Sequence, residues 1–135
     1  MGQVPVHVTL SNARELVMAR LGHLAPEAVH AYEVEAVLDT EHFHCLVPDA
    51  LTERLGLHCY WQGILQPDGS WGEGVVTEGI TLELFGRPAH IQGLVMGERL
   101  HLSASVLGQI DLRYDEASGE LRPNVGTWER PVFRV

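Results

Sequence analysis

The chain has 135 residues, 45% hydrophobic and 20% charged, with a net charge of −9. This length supports one domain with an apolar core, expected to span residues 1–135, and the composition excludes a disordered or low-complexity chain. The basic residues are nine arginines without a lysine, scattered along the chain; tight nucleic-acid binding, which needs several phosphate contacts from one surface, is excluded.

The first predicted element is a strand over Val4–Leu10, where apolar and polar residues alternate and Pro5 suits a strand start or edge. The opening has no basic segment followed by a long apolar run, so no secretory leader is read. Apolar runs throughout are too short to span a bilayer as a helix. No membrane partner and a cytoplasmic location are expected. Asn12, followed three residues later by Glu15, predicts a capped helix start, and Gly22 its end. A connector containing Pro26 leads to a strand over residues 33–40, in which Val34, Ala36 and Leu38 alternate with Glu33, Glu35 and Val37.

A helix is predicted over Asp49–Leu57, with Leu51 and Leu55 on one face and Gly56 ending it. His58–Gln66 and Trp71–Val76 form a hairpin around Pro67-Asp68-Gly69-Ser70, a strong turn sequence. Ile80–Phe85 turns at Gly86-Arg87 and pairs back through Ala89–Met96. Leu100–Asp115 supplies the last core material, Glu120–Asn124 is a short extended piece, and Val132–Val135 alternates like an edge or interface strand. Many short strands with turns about every ten residues predict a mostly-β small barrel or sandwich.

The strand ending in Asp39-Thr40 is the candidate chemical site. It is followed within a few residues by the apolar run Cys45-Leu46-Val47. A carboxylate at the tip of a strand-turn-strand unit, walled by apolar residues, is placed for acid–base work, with a second carboxylate as its natural partner. The bland alternative is a strand-end aspartate capping a turn. Asp111 and Asp115 read as a strand boundary and a turn. Tyr60, Trp61 and Trp71 fit either a lid over a bound peptide or cross-strand hairpin packing. His44, Cys45, His58 and Cys59 are zinc-ligand types. Their spacing is not a recognised zinc pattern, and adjacent strand residues point to opposite faces. No metal or cofactor is expected, with these four as the alternative set. Two cysteines are too few for a disulfide framework and are expected to be reduced.

The run Val34–Thr40, the following Leu46-Val47-Pro48 and the helix ending Leu55-Gly56-Leu57 resemble the retropepsin-like aspartic proteases, most closely their small bacterial single-domain relatives. The resemblance extends through the opening VHVTLSNARELVMARLG, the hairpin tip Gln66-Pro67-Asp68-Gly69-Ser70, the turn Leu84-Phe85-Gly86-Arg87, and the ending through Asp111-Leu112, Asp115, Gly119, Leu121, Pro123 and Asn124. It implies a mostly-β, closed acid-protease barrel with two or three short helices, acting as a homodimer. Asp39 from each subunit would act as acid and base on a shared water, with Thr40 bracing the two loops. A flap carrying Trp61, Pro67, Asp68, Gly69, Ser70 and Trp71 would cover a peptide or protein substrate.

Two positions depart from the family pattern. Glu41 stands where the motif has glycine. A second family glycine aligns with Ser103 without a gap, or with Gly108 if a deletion is allowed, and the ungapped pairing also makes 105–109 a short helix. Like charges about 4 Å apart interact by roughly 4 kcal/mol at an effective dielectric of about 20, so Glu41 beside Asp39 would disturb a shared-proton pair. The alternative is a solvated turn glutamate pointing away. Glu41 tips the reading slightly towards lost peptidase activity. The sequence therefore leaves open an aspartic peptidase and a catalytically inactive dimeric binding module of the same fold, with the His/Cys residues as its metal option.

Overall fold

The computed structural model describes residues 3–39 and 44–124. Strand β1 (Gln3–Asn12) leads into helix α1 (Ala13–Arg20), and a 3-10 turn (Pro26–Ala28) precedes β2 (Ala31–Asp39). Then come β3 (Cys45–Val47), α2 (Asp49–Arg54), and the hairpin of β4 (Cys59–Leu65) and β5 (Trp71–Thr77). β6 (Ile80–Leu84), β7 (Arg87–Ile91), β8 (Gly93–Val95), β9 (Leu100–Ser103), α3 (Ser105–Ile110), β10 (Leu112–Asp115) and β11 (Glu120–Pro123) complete the described chain. No helix among the described residues is long and apolar enough to cross a membrane.

The alternation in β1 buries Val6, Val8 and Leu10, and Leu38 of β2, Leu82 of β6 and Leu102 of β9 meet them in one core. Asn12 closes β1 as the cap of α1: its side chain accepts from the Glu15 N–H at 3.1 Å. α2 ends where Gly56 takes a positive φ of 62° and the Leu57 N–H returns to the Thr52 carbonyl, which satisfies the last-turn carbonyls. Leu51 and Leu55 face the core, as their spacing predicts.

Nine strands form one sheet in the order β4-β5-β8-β3-β9-β2-β1-β6-β7, and β10 pairs with β11 separately. The described residues are thus mostly β with three short α-helices. Among the described residues the large sheet ends at β4 and β7, and the predicted barrel closure is not part of these pairings.

A second difference concerns Ala89–Met96, predicted as one returning strand. The chain pairs with β6 only as far as Ile91, then crosses at Gln92 to run parallel with β3 as β8. Thr77, fully buried, receives the Gly93 N–H on its hydroxyl at 3.1 Å. Gly93 passes so close to β3 that a Cβ there would lie 2.5 Å from Val47 Cγ2 and 3.1 Å from the Cys45 carbonyl. The predicted strand Val132–Val135 lies outside the described residues.

Candidate functional site

Asp39 ends β2, and its residue is only 3% exposed. β2 and β3 are consecutive in sequence but not neighbours in the sheet. β9 lies between them, parallel to β2 through the pair Asp39–Ser103 and antiparallel to β3 through Leu46–His101. β9 thus separates the strand that ends at Asp39 from the strand that begins at Cys45. Thr40 and Glu41 lie outside the described residues.

Ser103 is directly across from Asp39 and is buried. Its N–H points at Cys45 Sγ at 3.4 Å, the Cys45 thiol faces its Oγ at 3.7 Å, and that Oγ shares a hydrogen bond with Ser105 Oγ at 2.7 Å. The end of β2 and the start of β3 are thus both tied to Ser103, one through the sheet and one through Cys45. Gly108 lies inside α3 with open space where a side chain would be. On the other side of β2, Gln3 pairs with Asp39 in register, and its Nε2 donates to Asp39 Oδ2 at 3.2 Å.

The hairpin carries the predicted lid residues. Its tip is closed by Gln66 N–H to the Ser70 carbonyl at 2.8 Å, and Gly69 takes a positive φ of 87°. Asp68 accepts from the Ser70 hydroxyl at 2.6 Å and the Ser70 N–H at 2.9 Å, and these bonds hold its carboxyl below the usual range. Pro67 lines the adjoining groove. Trp61 faces Val75 and Trp71 faces Leu65 across the two strands. Both rings are largely in solvent, 78% and 72% exposed, although Trp71 lies over Gly63. Trp61, Leu65 and Trp71 share one face by strand parity.

On the opposite face a groove of ≈ 510 Å³ runs between the hairpin and β8, lined by His44, Ile64, Pro67, Gly74, Leu94 and Met96 among others. A smaller cavity of ≈ 230 Å³ shares His44 and Pro67 with it. Gly74 keeps the groove shallow-walled, since a Cβ there would touch Ile64 and Leu94 at 3.4 Å. His44 links this groove to the start of β3. The sequence reading did not single out Gln3, Ile64, Leu94 or Met96. Gln3 precedes the alternating run, and the apolar residues are indistinguishable from core by pattern alone.

The alternative His/Cys set is not brought together. Cys45 is buried against Ser103 in a central strand, whereas Cys59 is exposed at the start of the edge strand β4, its Sγ 3.9 Å from the Leu57 carbonyl. Burial pushes the Cys59 thiol up, away from the metal-binding thiolate. His58 is 4.0 Å from Glu78. Among the described residues no three of His, Cys, Asp and Glu are grouped to hold a metal ion.

No protein-family model matches the chain, and no curated protein matches it. Among solved structures, it is similar to EIAV protease complexed with the inhibitor HBY-793, at 24% identity and a TM-score of 0.44, over 56% of this chain and 75% of that one.

Proposed function

We propose that the protein is a retropepsin-like aspartic peptidase that works as a homodimer of single-domain subunits, with one Asp39 from each. The observation that carries this reading is the placement of Asp39: a nearly buried carboxylate at a strand end, beside Ser103 on a strand that lies between β2 and β3. In the proposed reaction two Asp39 carboxyls share one proton, because like charges in contact do not both ionise. The ionised carboxylate takes a proton from a water as that water attacks the peptide carbonyl carbon. The protonated partner gives its proton to the carbonyl oxygen. Collapse of the tetrahedral intermediate breaks the C–N bond, and a proton passes to the departing amine. Thr40 braces the loops, and the hairpin closes over an extended peptide whose apolar side chains enter the groove at Ile64, Leu94 and Met96.

A second reading, a dimeric binding module without catalysis, is favoured by the exposed Trp61, Leu65 and Trp71, which offer apolar contact whether or not chemistry follows. Glu41 in the motif glycine position favours it as well. One experiment separates the two. The purified protein is incubated with a library of unstructured peptides between about pH 4 and pH 7, where shared-proton dyads operate, and products are read by mass spectrometry. The expected result is cleavage that Asp39→Asn lowers by at least about a thousandfold, as loss of a reacting group does. Cleavage unaffected by Asp39→Asn sinks the peptidase reading. Peptide binding without cleavage by the natural sequence selects the binding module.

A further inference from the structure

We propose that Gln3 is a positioning residue for the Asp39 carboxylate, an inference that rests on the peptidase reading of that site. Gln3 and Asp39 are partners in the antiparallel register of β1 and β2, so their side chains leave the sheet on the same face. The Gln3 Nε2 reaches Asp39 Oδ2 at 3.2 Å. Gln3 itself is exposed while Asp39 is buried, so the amide covers the carboxylate from the solvent side.

The chemistry of a carboxamide suits this place. A hydrogen bond donated to the ionised form favours that form and lowers the carboxyl's proton affinity. An arginine or lysine there would do the same far more strongly and would keep both carboxylates of a pair ionised, which removes the shared proton. Glutamine supplies a donor without a charge, and its support does not change with pH. The N–H also occupies one side of Oδ2. The titratable groups on the surrounding strands are Tyr32, Glu33 and Glu35 on β2, His7 on β1 and His101 on β9. Cys45 contacts Ser103, and Arg99 lines a ≈ 340 Å³ cavity together with Gln3 and Glu35. Glu41 follows Asp39 in the chain.

The test follows the Asp39 side-chain carbon by NMR in the full chain carrying carbon-13 aspartate, with the resonance assigned by its loss in Asp39→Asn. Gln3→Leu is expected to raise the apparent Asp39 midpoint by about one pH unit, and Gln3→Glu by more, because it places a second carboxylate at the same spot. In a cleavage assay the acid limb of the pH–rate profile moves by the same amount, while KM stays within about twofold, as expected when ionisation and not binding is altered. A midpoint unchanged in both variants overturns the inference. A shifted midpoint in a protein that cleaves no peptide upholds the Gln3 contact and counts against the peptidase reading alone.

Discussion

At the scale of single residues, Asn12 does more than its sequence position announces. Its spacing to Glu15 marks a helix cap, and the cap is present. The same side chain, fully buried, donates from Nδ2 to the Leu55 carbonyl at 2.9 Å and to the Gly56 carbonyl at 3.2 Å. It therefore joins the start of α1 to the end of α2. A cap alone is worth about 1 kcal/mol, and stranding a buried carbonyl costs about 1–3 kcal/mol. Asn12→Ala is thus expected to lower unfolding free energy by about 2–4 kcal/mol in denaturant titration. A loss near 1 kcal/mol would mean that the link to α2 contributes nothing beyond the cap. The cap was legible because it is a local pattern. The link was not, because its partners are more than forty residues away and contact is made only once α2 has packed Leu51 and Leu55 into the shared core.

At the scale of elements, strands and turns were read where they depend on local alternation and turn chemistry, as in β1, β2 and the hairpin tip. Ala89–Met96 was misread as one strand because its apolar pattern continues unbroken while the pairing partner changes at Gln92. Elements are also fastened by charge. Glu78, between β5 and β6, accepts from Arg14 Nε at 3.0 Å and from the His58 N–H at 2.6 Å, tying α1 and the entry to β4 to the sheet. Burial opposes ionisation of Glu78, but the bonds from Arg14 and His58 outweigh it and hold the carboxyl below the usual range. Glu15, hydrogen-bonded by His30, is lowered in the same way against its own burial. A carboxyl lowered on folding contributes stability that is present above its unfolded value and lost as pH falls through the folded one. Stability should therefore decline as pH drops below the ordinary glutamate range, about pH 4–5. Glu78→Gln should be less stable at neutral pH and decline less steeply with acid, since Glu15 still titrates. Thermal unfolding across that range checks it, and an equally steep decline in both proteins would remove Glu78 from the account.

At the scale of the whole molecule, a single chain carries one Asp39, so the proposed chemistry depends on association. Specific peptidase activity is expected to fall on dilution through the dimer dissociation constant, tracked in parallel by sedimentation, because mass action controls the population of completed sites. Activity that stays proportional to total protein while sedimentation shows monomers would exclude a shared site. The amino-acid sequence by itself determined the mostly-β character, the cap of α1, the end of α2 at Gly56, the hairpin tip and the position of Asp39 at a strand end. Each of these depends on residues within a few positions of one another. Tertiary structure alone decided that β9 enters between β2 and β3, that Ser103 and Gln3 flank Asp39, that the groove forms between the hairpin and β8, and that the His/Cys residues separate. Periodicity reports that a face is buried, not what buries it. The partner strand is selected by how distant apolar side chains, nineteen of them among the described residues, fill one core.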